Sequence, residues 1–365
     1  MDHKELLAWL SFSSFPGIGP LRFKLLLNYF QTAERAWNAS QKELLEVGLS
    51  QNLVNKLWDF KRTFSSEKYF QEVAKKDIKI ITWNDPLYPK RLKEISDSPF
   101  LLYIKGDINK NWNWERAVAV VGTRKITSYG RAVTRKIVSG LVYSGCLIIS
   151  GLAYGVDAVA HETAIDSGGN TFGVLGCGVD IIHPVSNTEL YWQIVHEKGL
   201  MISEYPVGQF AAKGLFPARN RIVSGLSLGV VVTEGAEDSG SLITARLALE
   251  QGKEVFAVPG PITSELSGGT FKLIREGATP VSHAQDVLEG LKLSNYPINQ
   301  LTNKREENNL SKDEKKIVEL LTNENLHIDD LIIKAQIPSF KIGSILTMME
   351  LKGIVKNRSG LWMLC

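Results

Sequence analysis

Six short apolar runs separated by five amphipathic stretches dominate the middle of this chain. The runs are Ala117–Val121, Leu147–Ile149, Thr171–Leu175, Leu200–Ile202, Leu228–Thr233 and Glu254–Val258. Between them lie helical patterns over Tyr129–Tyr143, Val156–Asp166, Thr188–Lys198, Arg219–Leu226 and Ser241–Gln251. A continuous apolar run suits a strand covered on both faces. Strand–helix alternation at this spacing makes βαβ units. The expected core is therefore an α/β fold with a doubly wound, mainly parallel sheet. Ligands of such sheets sit beyond the C-terminal ends of the strands, so the loops there are the place to look for function.

The flanks differ from this core. Residues 1–77 read as a helical unit: Leu6, Leu7, Trp9 and Leu10 open an amphipathic stretch, and Leu21–Phe30, Ala33–Trp37 and Lys42–Phe60 keep a helical period. The turn Gly17-Ile18-Gly19 between helices resembles a helix-hairpin-helix, in which backbone N–H groups meet a DNA phosphate. Residues 78–290 form the expected core unit, opened by strands at Ile78–Trp83 and Pro99–Ile104. The polar stretch 291–310 reads as a linker. In the unit 311–365, Ser311 and Glu314 form a capping box for a helix Lys312–Leu321. Helices His327–Ala335 and Ser339–Leu351 follow, the latter stopped by Gly353. A hairpin of Ile354–Lys356 and Leu361–Leu364 completes a winged helix–turn–helix pattern.

Composition narrows the function classes. The chain has 365 residues, 44% hydrophobic and 22% charged, with 42 basic and 39 acidic side chains. It is too long for one typical domain and too apolar for a disordered chain. A net charge of +3 is too small to announce a nucleic-acid ligand by its average. Six basic residues nevertheless fall between Arg116 and Lys136 with no acidic residue among them. No apolar run is long enough to span a membrane, and no signal peptide is visible at the start. Cys146, Cys177 and Cys365 are isolated, so reduced thiols in a cytoplasmic protein are expected rather than a disulfide framework or a zinc site.

The strand-end loops share an anion-binding chemistry. Gly122-Thr123-Arg124-Lys125 follows the first core strand, and Ser150-Gly151 opens the loop after the second. The loop at 206–218, with Lys213, leads into Arg219-Asn220-Arg221, and Ser239-Gly240-Ser241 opens a later helix. Glycine allows close backbone approach, and helix N-termini present unpaired N–H groups. Arginine forks suit phosphate, and lysines add point charges. The dinucleotide Gly-x-Gly-x-x-Gly, the P-loop and the Gly-x-Ser-x-Gly nucleophile elbow are all missing. Asp157 and His161, one helical turn apart, read as a tether of their helix. Glu204 and Glu234 suit either glycosidic hydrolysis or the anchoring of Arg219 or Arg221. The anchoring role is preferred.

Together the motifs resemble the DprA/Smf family of DNA-processing proteins. The likeness rests on Val120-Val121-Gly122-Thr123-Arg124, on Ser150–Asp157 with Ala160-His161, on Phe216–Ile222, on Ser239–Ala245 and on Val255–Gly260. It implies a sterile-alpha-motif-like or helix-hairpin-helix-like front, an extended Rossmann-like core and a DML1-like winged helix. It also implies single-stranded DNA binding through the core, homodimerisation through it, and loading of RecA in natural transformation. Gly122, Thr123, Arg124, Lys125, Ser150, Gly151, Arg219, Asn220, Arg221 and Ser239–Ser241 would meet the DNA, with Lys213 a further contact and Asp157, His161 and Glu234 as support. Val156 stands where the family has isoleucine, and His183 where a tyrosine is common. No catalytic residue, metal or cofactor is expected. The competing readings are a nucleotide-processing hydrolase on a related core, with Glu234 as its best carboxylate, and a winged-helix regulator.

Overall fold

The computed structural model describes residues 1–293, 311–323, 326–351, 354–358 and 360–364. Most of the expected linker, together with Gly353, Ser359 and Cys365, lies outside them.

The core strands form where the apolar runs stand. They are β1 (Lys79–Thr82), β2 (Leu101–Lys105), β3 (Ala117–Val121), β4 (Leu147–Ser150), β5 (Thr171–Val174), β6 (Gly199–Ser203), β7 (Gly229–Val232), β8 (Glu254–Ala257) and β9 (Thr279–Pro280). They make one sheet in the order β1-β2-β6-β5-β4-β3-β7-β8-β9. From β6 to β9 every neighbour is parallel. At one side of the sheet the edge strand β1 and its neighbour β2 join antiparallel. β3 to β6 build one half of the parallel sheet, and the chain then returns past β3 to lay down β7 and β8. The order thus reverses beside β3, leaving a crevice where neighbouring strand-end loops part.

Both faces of the sheet are covered, which is why the strands read as unbroken apolar runs. Ala117, Ala119 and Val121 face one side, with Leu226 and Ala245 of the helices α11 (Leu215–Leu226) and α12 (Gly240–Glu250). Val118 and Val120 face the other, with Leu141 of α8 (Ser128–Tyr143) and Ala160 of α9 (Val156–Asp166). The expected helix Thr188–Lys198 is α-helical to Gln193 and ends in a wider π-helical turn, Ile194–Lys198. Helices α13 (Gly268–Arg275) and α14 (Ala284–Gly290), with β9 between them, extend the core beyond the last expected strand.

The front helices share a core with the sheet. Six helices between His3 and Lys75 bring Trp9, Phe12 and Phe23 against Phe100 and Tyr103. Phe23 stacks on Phe100 with ring centroids 4.0 Å apart, and Ser13 hydrogen-bonds Tyr103 at 2.9 Å. Helix α6 (Ser66–Lys75) leads to Lys76, whose ammonium pairs with Asp180 at 2.6 Å. Asp180 in turn accepts from Gly208 N at 3.0 Å, and Tyr69 OH accepts from Val207 N at 2.8 Å. Residues up to Leu293 therefore belong to one compact unit, with the tail as a second.

The tail folds as its pattern predicts. Its helices are Lys312–Asn323, Ile328–Ala335 and Ser339–Leu351, and the capping box is present, with Ser311 N donating to Glu314 at 2.7 Å. Leu361–Leu364 pairs with Val355–Arg358 and also with a two-residue strand, Leu326–His327. That short strand has too few residues to show a period in sequence. Ile317, Leu331, Ile342, Leu346 and Val355 form a core of their own.

Candidate nucleic-acid interface

The crevice beside β3 is walled by loops stitched to one another. At the end of β3 the backbone must run against two neighbours: a Cβ on Gly122 would lie 2.6 Å from the Glu234 carbonyl oxygen and 2.5 Å from Val156 Cγ2. Only glycine fits. The next residue fastens three loops at once. Thr123 N donates to the Glu234 carbonyl at 2.7 Å, and Thr123 O accepts from Val156 N at 3.1 Å. Arg124 and Lys125 are left exposed at the rim.

Glu234 turns its carboxylate to the start of α8. It is 3% exposed and accepts from Thr127 N at 2.9 Å and from Thr127 Oγ1 at 2.5 Å. Gly130 makes room, since a Cβ there would come 2.6 Å from Glu234 Cδ. A carboxylate at a helix N-terminus complements the unpaired N–H groups and the dipole. The structure thus places Glu234 as a cap of α8.

The loop after β4 is shaped by Asp157. Its carboxylate, buried at the start of α9, accepts from Gly151 N at 3.1 Å and Ala153 N at 3.3 Å. Gly155, with φ +77°, makes the turn into the helix. Arg219, 4% exposed on α11, donates from Nη1 to the carbonyls of Gly151, at 2.7 Å, and Val174. It therefore ties the ends of β4 and β5 together. Burial pushes the Asp157 carboxyl up and the neighbouring Arg219 guanidinium pulls it back. Burial lowers the guanidinium likewise, with Asp157 opposing.

His161 does not bond Asp157. Its Nδ1 meets Thr171 Oγ1 at 2.6 Å, and that hydroxyl donates to Ile148 O at 3.0 Å, so Nδ1 carries the proton. Burial holds His161 down at about 3. A histidine that is neutral when folded but titrates near 6.5 when unfolded binds its proton in the unfolded state first. Stability is therefore lost as pH falls from about 6.5 towards 3. Between pH 7 and 5 the wild type is expected to lose about 2 kcal/mol more than His161→Gln, read by denaturant unfolding at both pH values. Equal losses would show that the histidine does not carry the acid sensitivity.

These loops enclose a cleft of about 780 Å³. Of the residues singled out in the sequence, Gly122, Thr123, Arg124, Lys125, Gly151, Asp157, Lys213, Arg219, Asn220, Ser239, Gly240 and Ser241 line it. Ser239 caps α12 by accepting from Ser241 N at 3.3 Å, and Asn220 Nδ2 donates to Gly240 O at 3.4 Å. Two residues of the expected set do not line this cleft. Ser150 is wholly buried and donates to Val120 O at 2.7 Å. Arg221 points away from the cleft, pairing with Asp97 at 2.9 Å and Glu204 at 2.5 Å. Glu204, which burial pushes up, is thus an anchor for Arg221. Residues 219 and 221 are about 200° apart around a helix, so one helix cannot aim both at one site.

The sequence reading assigned no role to Phe216, whose ring carries the Arg124 guanidinium at 5.2 Å and meets His183 at 5.5 Å. Both rings line the cleft, as does Ile243. The signal for Phe216 was its place in the Phe-Pro-Ala-Arg-Asn-Arg motif. Arg124, Lys125, Lys213 and Arg219 outnumber the carboxylates of Asp157 and Asp238 in the lining. The wall is positive, glycine-rich and partly aromatic, which suits a phosphate chain whose bases can stack. Among the described residues no cluster of His, Cys, Asp and Glu could hold a metal ion, and no helix is long and apolar enough to cross a membrane.

A family model described as DNA recombination-mediator protein A matches residues 79–292, more than half of the chain. The chain belongs to the DprA/Smf family. A second model, the DprA winged helix domain, matches residues 302–360. Protein Smf of Synechocystis is 39% identical over 294 residues, covering 80% of this chain and 74% of that protein. DNA processing protein DprA of Streptococcus pneumoniae is 42% identical over 228 residues, 61% of this chain and 79% of that one. The X-ray structure of the S. pneumoniae DprA matches with a TM-score of 0.69 at 34% identity, over 79% of this chain and 98% of that one. A DprA structure from Helicobacter pylori, described as giving insight into that protein's single-stranded DNA binding mode, matches with a TM-score of 0.52 at 33% identity. It covers 59% of this chain and 96% of its own.

Proposed function

We propose that this DprA/Smf protein binds single-stranded DNA in the β3 cleft, as a cytoplasmic homodimer built on the Rossmann-like core, and loads RecA onto the strand during natural transformation. One observation carries the DNA reading: the glycine-rich ends of separate strands and the exposed cations Arg124, Lys125 and Lys213 face one cleft. Loop amides, the N-terminus of α12 and the cations capture phosphates, and Phe216 and Ile243 offer apolar surface to a base. The H. pylori relative's described ligand supports the same choice. No catalytic step is part of this reading, since Glu234 and Asp157 are both engaged in holding loops.

The test is binding of an oligothymidylate and of the corresponding duplex to the full chain at several salt concentrations, with and without RecA. The single strand should bind more tightly, with log K falling by about 0.7 per engaged phosphate for each unit of log salt. Salt-independent binding or a preference for duplex would overturn the cleft's role. The chain should speed RecA assembly on the single strand; unchanged assembly would remove the loading step and leave the DNA site standing.

A further inference from the structure

We infer that the exposed face of α8 is a second DNA-contacting surface, which takes the sugar–phosphate chain onward as it leaves the cleft. The inference rests on the cleft holding single-stranded DNA. Arg124 and Lys125 stand at the cleft rim, and α8 begins three residues later. Its buried face is Gly130, Thr134, Ile137, Val138 and Leu141. Its outward face carries Arg131, Arg135 and Lys136, all exposed. Arg131 and Arg135 are one turn apart, about 6 Å along the axis. The cations therefore continue from the rim along the first half of the helix.

Helix α8 itself carries these three cations and no acidic residue. Lys76, Arg91, Arg221 and Lys341 each pair with a carboxylate. Among the described residues none of Arg124, Lys125, Arg131, Arg135 and Lys136 forms such a pair. The helices packed beside α8 do offer acids, Glu162 and Asp166 on α9 and Asp286 and Glu289 on α14, and none of them forms an ion pair with the string. Unpaired like charges in a row are mutually repulsive, and a polyanion laid along them offsets that repulsion while releasing its own counterions. Tyr129, exposed at the head of the helix with its hydroxyl donating to Pro259 O at 2.5 Å, adds a ring on which a base can stack.

The test compares the full-length wild type with Arg131→Gln/Arg135→Gln/Lys136→Gln by fluorescence anisotropy. Two oligothymidylates are used, one of about six nucleotides, enough for a cleft-sized site, and one of about thirty. Three lost phosphate contacts flatten the salt slope on the long strand by about 2, which near 0.1 M salt is a weakening of about 100-fold. The short strand should bind both proteins alike. A second variant, Lys56→Gln/Lys68→Gln/Lys75→Gln, removes the same charge from exposed positions of the front helices and should leave the long strand nearly unaffected. Unchanged long-strand binding by the α8 variant overturns the inference. So does an equal loss on both strands, or an equal loss with the front-helix variant, since either reduces α8 to a share of the overall charge. Failure of the wild type to bind the short strand overturns the reading of the cleft itself, and this inference with it.

Discussion

Replacing Arg219 by alanine is expected to lower the unfolding free energy by roughly 3–5 kcal/mol, the range for removing one partner of a buried charged pair. The side chain is 4% exposed at the cleft wall and holds the carbonyls of Gly151 and Val174. Without it those carbonyls and the Asp157 carboxylate stay buried with no cation beside them. Arg219→Lys keeps the charge but loses the planar fork, so it should fall between wild type and alanine. Denaturant unfolding of the full chain, followed by tryptophan fluorescence, measures both. A midpoint unchanged in Arg219→Ala would show that the strand ends do not depend on this side chain.

The second large effect is on binding and leaves stability alone. Arg124 and Lys213 are both exposed in the cleft lining, and neither forms an ion pair among the described residues. Arg124→Ala with Lys213→Ala removes two charge-assisted phosphate contacts, each worth about 1.5 kcal/mol or more. Together that is a loss of about 100-fold in single-strand affinity at fixed salt. The unfolding midpoint should remain that of the wild type. Anisotropy titration with an oligothymidylate reads the first quantity and chemical denaturation the second. An affinity loss of less than about tenfold, near 1.4 kcal/mol, would place the phosphates outside this cleft.

The contrast between Arg219 and Arg124 shows where sequence reading succeeds and where it stops. Ala117–Val121 was recognisable as a strand because both of its faces are buried, and Val156–Asp166 as a helix because a polar turn and a strand bound it. The winged helix was legible as three helical patterns, the first with a capping box, followed by a hairpin. What spacing alone did not resolve was direction. Arg219 and Arg221 share a motif, yet helical phase sends one into the strand ends and the other to Asp97 and Glu204. Ser150 ends a strand with its hydroxyl turned inward to Val120. The capping role of Glu234 depends on Thr127, a partner 107 residues away that only the folded sheet brings near. Helical period set the front helices apart from the core, but a period does not show which buried rings meet, and Trp9 and Phe23 join the two.

Those aromatic contacts also bear on how this protein can be taken apart. The segment by which the family is recognised begins at residue 79, within the first strand of a sheet whose outer strands are roofed by the front helices. Recognition and folding therefore have different frontiers. A chain begun at that frontier would bare Phe100, Tyr103 and their neighbours to water and would aggregate rather than stand as a trimmed core. For the same reason the front helices cannot be exchanged between relatives like a cassette. A graft would have to match Trp83, Phe100 and Tyr103 at the ends and middle of β1 and β2.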